Sequence, residues 1–403
     1  MAQLLRKVSS SKEVETIKMK LIFILIYLAF MSARAIFNPF LTVYLSEKGL
    51  DAQWIGVVMG INSFITILAQ PVWGILSDKL QSVRTALAVS LIGQSFISLM
   101  LIGSEGFLVI TICFCIYTFF SSSQNTLLDT WSLYSLKGIN DEKSVGHLKL
   151  WGCLGFAGSS ILSGMFINRY STIKVIPIFS IILFAIAVLI LLVKINGIRT
   201  KPLKIRDMEL WKIYKNISFI VFLVFVMFMQ FPHRAGYTFF PILLENLGGT
   251  KAMVGYCSAI MFVSQALVLF LSKRLLTKLP PKLLIVFSAF FFILWQLGYG
   301  FATKPYHILM LCALDGPSFG LFTISTLYYL DSIAPDNLKT TYQTIAYAFY
   351  FGISGIIGNT LGGVIIEYMG YKTMYILGAI VIFISTAIFF SVDAFIFKKE
   401  KLV

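Results

Sequence analysis

Apolar residues run through this chain in long stretches broken by short polar punctuation, not in the alternating pattern of half-buried strands. A helix needs about 20 mostly apolar residues to cross the hydrocarbon core of a bilayer. By that measure the first half holds spans at 18–45, 52–77, 83–104, 106–133, 145–169 and 172–195. The second half holds spans at 216–245, 251–275, 281–303, 306–332, 338–369 and 372–397. The pattern predicts an all-α membrane protein of about twelve transmembrane helices in two six-helix bundles. The bundles occupy 18–195 and 216–397, with polar ends at 1–17 and 398–403. A basic connector, 196–215, joins them.

The two bundles repeat one another about two hundred residues apart. Gly152, Gly155 and Gly158 recur as Gly352, Gly355 and Gly358. Phe40, Leu45, Gly49 and Gly56 recur as Phe239, Leu244, Gly248 and Gly255, and Leu128-Asp129 recurs as Leu330-Asp331. Paired membrane-embedded repeats are the mark of secondary transporters, in which one half moves against the other around a central site. The glycines of the fifth and eleventh spans, Gly362 and Gly363 included, suit close helix packing.

Composition agrees with a membrane class: 58% of residues are hydrophobic and 13% charged, whereas a soluble domain is about a quarter charged. The net charge of +15 does not imply a nucleic-acid partner, because the basic residues are sorted by side. Both termini and the even-numbered connections carry 24 of the 33 Lys and Arg; the opposite connections carry Lys48, Arg169, Lys174, Lys251, Lys304 and Lys372. That asymmetry places both termini in the cytoplasm of a multi-pass cell-membrane protein. The first apolar run is too long for a signal peptide and reads as a retained helix. The five cysteines (113, 115, 153, 257 and 312) all lie in apolar segments without zinc-type spacing, so no cofactor or metal is expected. The expected partners are a small-molecule substrate, a proton and the lipid bilayer, with the chain a monomer.

Two segments carry a family resemblance. After the second span the chain reads Gly74-Ile-Leu-Ser-Asp78-Lys79-Leu-Gln81-Ser-Val-Arg84. This resembles the short cytoplasmic motif of the major facilitator superfamily, with Gly74, Asp78, Lys79 and Arg84 matching and Gln81 where the family usually has glycine. The second-half counterpart, Leu271-Ser-Lys273-Arg274, lacks the acid. The resemblance implies a gate latch between the halves; ordinary cytoplasmic anchoring of basic residues is the alternative. The segment Gly146-His147-Leu-Lys149-Leu-Trp151-Gly152-Cys153-Leu-Gly155-Phe156 is similar to the fifth helix of the galactoside-permease and phenylpropionate-permease-like branch. That branch implies proton-coupled import of sugars, nucleosides or aromatic acids. Here His147 and Lys149 replace arginines and Phe156 replaces a tryptophan. Lysine cannot copy the bidentate fork of arginine, so lactose-like specificity does not carry over.

Ionisable residues at membrane depth are costly and point to pairing or function. The seventh span holds His233, Arg234 and Tyr237, and the tenth holds Asp315. Counted inward from the same face, Arg234 and Asp315 differ in depth by only ~3 Å at 1.5 Å per residue. An Arg234–Asp315 pair with His233 beside it is expected, suited to proton coupling, with static helix pairing as the alternative. Arg34 lies mid-span in helix one, near Asn38, with Asn62 of helix two at its depth. An unpaired cation there would anchor a substrate carboxylate or phosphate, with snorkelling or pairing with Asp315 across the cavity as the alternative. Asn125, Lys149, Phe156 and Tyr237 complete the expected substrate contacts. Asp129 and its repeat mate Asp331 lie near Lys149 and Lys339, in pairs that serve either substrate or helix ends and gate.

The leading expectation is a proton-coupled importer of a small polar organic solute. A drug/proton antiporter of the same fold is the alternative; such proteins usually carry Gly-Pro in helix five, and here Ser159 follows Gly158. A membrane-embedded enzyme or sensor is disfavoured: the three histidines (147, 233 and 307) are scattered, and no nucleophile–base or metal cluster stands out.

Overall fold

Among the described residues of the computed structural model, eleven helical stretches are long and apolar enough to cross a membrane. The first six are α1 (Thr16–Glu47), α2 (Ala52–Lys79), α3 (Val83–Met100), α4 (Phe107–Leu136), α5 (Leu148–Arg169) and α6 (Thr172–Leu192). The second half begins with α7 (Ile217–Asn246), α8 (Lys251–Ser272), α9 (Pro281–Gly300) and α10 (Pro305–Ile333). The last stretch, Thr341–Val392, is 52 residues long, more than twice what one crossing needs. Gly370 sits inside it at φ 82°, ψ 167°, a conformation only glycine adopts readily, and divides it into α11 (341–369) and α12 (371–392). The structure describes residues 2–137, 145–193, 195, 216–335 and 338–400. The side chains of 2–15, 137, 145–147, 273, 340 and 393–400 are excepted. The connector 196–215 and the side chain of His147 therefore lie outside the described residues.

Local chemistry sets the helix ends. Asp51 caps α2 by accepting from the Trp54 N–H at 2.9 Å. Ser82 caps α3 through Thr85 at 3.2 Å, and Asn216 caps α7 through Phe219 at 3.0 Å. Each side-chain oxygen satisfies one of the donors that a helix start leaves free. The repeat landmarks Gly49 and Gly248 end α1 and α7 at φ 84° and 86°, which is why glycine stands at both places.

Two spans are broken where the site lies. Pro39 has no N–H, so α1 tightens into a 3₁₀ turn over Asn38–Phe40. The Ala35 carbonyl that Pro39 cannot engage accepts instead from Ser163 Oγ of α5 at 3.2 Å. In α10, Pro317 lies within a run that is 3₁₀ over Cys312–Leu314 and π-helical over Gly316–Gly320. The Gly316 N–H turns out of its helix to donate to Ser264 Oγ of α8 at 2.8 Å. A second π-helical run, Ala348–Ile353, interrupts α11.

The halves meet at two related crossings. Gly56 of α2 faces Gly363 of α11, where an added Cβ would lie 3.0 Å from the opposite Cα and would strike the Asn359 carbonyl oxygen. Gly255 of α8 faces Gly164 of α5, where it would lie 3.2 Å from the opposite Cα and would strike the Ser160 carbonyl oxygen. Small residues let helix backbones approach this closely. Asn359 Nδ2 also donates across the first crossing to the Met59 carbonyl at 3.3 Å, and Lys251 pairs with Glu47 between the halves. These contacts lie towards the face opposite the two termini.

Candidate functional site

Arg34 and Asn38 are four residues apart on α1 and share a face. Both keep part of their surface accessible, although they sit well inside the span. The Phe30 ring lies 5.7 Å from the Arg34 guanidinium, and Tyr117 of α4 donates to Asn38 Oδ1 at 2.9 Å. The electrostatic neighbours of Arg34 are the phenols of Tyr117 and Tyr237. Tyr237 belongs to the other half, so this face of α1 is turned towards α7.

Arg234 and Tyr237 lie on the α7 face that answers it, again partly accessible. The Arg234 guanidinium rests 4.2 Å from the Phe351 ring centroid and 5.8 Å from that of Phe319. Its Nε and Nη2 are buried and have no hydrogen-bond partner. Aromatic faces attract a guanidinium but supply no lone pair for its N–H groups.

Asp315 is 1% exposed. Gln265 of α8 donates to its Oδ2, and His233 Nε2 stands 3.9 Å from its Oδ1. His233 is packed against Phe319 and Phe292, with ring centroids 5.3 and 4.6 Å away. Neither of its ring nitrogens has a hydrogen-bond partner. The Arg234–Asp315 pair expected from matching depths is not formed: among the described residues no acidic oxygen lies within 4.0 Å of Arg234. The reason is azimuth rather than depth. The 3₁₀-to-π change at Asp315 ties that part of α10 to Ser264 and Gln265 of α8.

The remaining expected contacts divide. Phe156 stacks on Phe262 of α8 at 3.6 Å and 14° and is 4% exposed, so its ring is engaged in packing across the halves and is not free for a solute. Asn62 is buried with Oδ1 unpartnered; it does not hydrogen-bond Arg34, and its amide lies 3.9 Å from Met59 Sδ. Asn125 is exposed. Lys149 pairs with Asp129 at 2.8 Å, whose other oxygen accepts from the Tyr27 hydroxyl at 2.7 Å. The repeat mate Asp331 pairs with Lys339 at 3.2 Å. Asp78 and Lys79 are exposed, and Arg84 donates to the Val193 carbonyl at the end of α6. Gln81 adopts φ 50°, the left-handed turn that the family's glycine would make.

Sequence reasoning missed Gln265, Tyr117 and Phe351. Gln265 was a findable signal, a lone amide in an apolar span. Nothing in the sequence distinguishes Phe351 from the rest of the 37 phenylalanines.

Two repeated helical bundles, with eleven described stretches long and apolar enough to span and the last of them broken at Gly370, fit a major-facilitator fold. Residues 18–377 match the MFS_1 like family, and the chain belongs to that family. It is 26% identical over 366 residues to the uncharacterized transporter YwbF of Bacillus subtilis (strain 168), spanning 90% of each chain. It is 24% identical over 362 residues to the maltose permease of Geobacillus stearothermophilus, spanning 89% of this chain and 90% of that one. Its fold matches a crystal structure of the nucleoside transporter NupG with a TM-score of 0.82 at 15% identity, covering 93% of this chain and 98% of that one. The relatives are transporters, not enzymes.

Proposed function

We propose that this transporter takes up a small polar organic solute together with a proton, by alternating access. The observation that carries the reading is that Tyr237 has Arg34, Arg234 and Asp315 as electrostatic neighbours, with His233 beside the buried Asp315; the space between α1 and α7 there is read as the transport gap. A buried carboxylate beside an imidazole is a group whose proton occupancy changes local charge, and so biases the two arrangements of the halves. The maltose permease and the nucleoside transporter support a sugar or nucleoside-like solute; an aromatic carboxylate suits the arginines. The bundles 18–195 and 216–397 are the moving bodies, with 196–215 as their link. Asp78, Lys79 and Arg84, with the Asp129–Lys149 and Asp331–Lys339 pairs, serve as gate contacts on the face of the termini. That face is cytoplasmic by its basic residues, in the cell membrane.

The test is proton movement in proteoliposomes challenged with sugars, nucleosides and aromatic carboxylates, for the native chain and Asp315→Asn. The expected outcome is solute-triggered proton uptake in the native protein and its loss in the variant. Coupling that survives in Asp315→Asn would remove Asp315 from the proton path.

A further inference from the structure

We propose that the gap receives its solute as an organic anion whose carboxylate or phosphate lies between Arg34 and Arg234. The proposal rests on the reading of the gap as the transport site, and it selects the acidic members of the solute class.

The charge balance carries the proposal. Among the described residues, no acidic oxygen lies within 4.0 Å of either guanidinium. Asp129 is held by Lys149 and Tyr27, and Asp331 by Lys339. Glu47 is held by Lys251. Asp315 is in electrostatic reach of Arg234, but Gln265 occupies one of its oxygens and the other faces His233. One acid against two guanidiniums leaves the gap positive when Asp315 is ionised, and more so when it is protonated.

The donors are also unspent. Arg34 rests against Phe30 and Arg234 against Phe351, and neither ring face offers a lone pair. Two Arg234 nitrogens are buried without any partner. The Tyr237 hydroxyl is in electrostatic reach of both guanidiniums and adds a third donor. Planar guanidinium N–H groups match the paired oxygens of a carboxylate or phosphate. A neutral solute would leave this charge uncompensated at membrane depth.

The experiment measures binding to the purified full chain in detergent, with no proton gradient. Thermal shift and calorimetry compare matched probes at millimolar concentration: benzoate with benzyl alcohol, galacturonate with galactose, and uridine 5′-monophosphate with uridine. The expected result is that an acidic probe stabilises the native protein and its neutral partner does not. Arg34→Gln and Arg234→Gln each weaken that binding by roughly 30-fold or more. Arg34→Lys and Arg234→Lys keep the charge and lose less, and they stand in for a glutamine variant that fails to fold. The carboxylate and phosphate arms decide which acid is preferred. The proposal is overturned by a neutral probe binding as well as its acid, by acid binding that survives both glutamine substitutions, or by no acid in the panel binding the native chain. Failure of proton coupling in vesicles would not move this result. Proton-coupled uptake of a neutral sugar would sink the anion proposal while leaving the transporter reading intact.

Discussion

At the scale of single residues, Arg34, Arg234, His233 and Asp315 are conspicuous in the sequence because each is expensive inside a bilayer. What each one touches is a different matter. Arg234 faces phenylalanine rings, and the acid expected beside it is tied to Gln265. The turn between α2 and α3 shows a smaller residue-level strain. Gln81 takes φ 50°, which an unbranched side chain tolerates at a modest cost and a β-branched one does not. Gln81→Val is expected to lower stability by about 1–2 kcal/mol, while Gln81→Gly is expected not to lower it. Thermal melting of the two variants in detergent checks this, and equal melting points would show that the turn carries no strain.

At the scale of elements, the sequence repeat and the contacts follow different rules. Gly152 and Gly155 pack α5 against α1 in their own half, against Met31 and Leu28. Their repeat mates Gly352 and Gly355 face Ile67 and Ser63 of α2, in the opposite half. Close backbone approaches between the halves fall on another pair of repeat mates, Gly56 and Gly255. Any side chain there meets a carbonyl oxygen of the facing helix, so the crossings close only if both positions stay small. The double variant Gly56→Leu, Gly255→Leu is expected to hold the halves apart at the face away from the termini. Spin labels at positions 105 and 250, on exposed sites of opposite halves, should report a longer distance than in the native chain. An unchanged distance would show that these crossings do not govern closure.

At the scale of the whole molecule, the proposed reading has two bundles that share one charged site linking the solute to the proton. Asp315 is faced by His233, Arg234 and Tyr237 from α7 and by Gln265 from α8, with Tyr299 of α9 reaching it through Cys312. Protonating Asp315 removes the acid nearest Arg234, so an anion and a proton each favour binding of the other, by reciprocal linkage. On that reading, affinity for an acidic solute should rise as pH falls. In Asp315→Asn it should stay high and lose that dependence. Calorimetry across pH checks it; a pH-dependent affinity that persists in the variant would shift the linkage to another group.

The sequence by itself determined the class: about twelve crossings, two repeated halves, a one-sided distribution of Lys and Arg, and a few ionisable groups at membrane depth. Those properties follow from transfer free energies and helix length, which depend on local composition. Only the tertiary structure decided which of those groups meet. Depth can be counted along a chain, but azimuth depends on helix irregularities such as the 3₁₀-to-π change at Asp315 and on how helices from different halves are turned. That is why Arg234 and Asp315 could be placed at one level yet not paired. It is also why Phe156, marked by a motif, lies against Phe262 while Phe351, marked by nothing, lies under the guanidinium of Arg234.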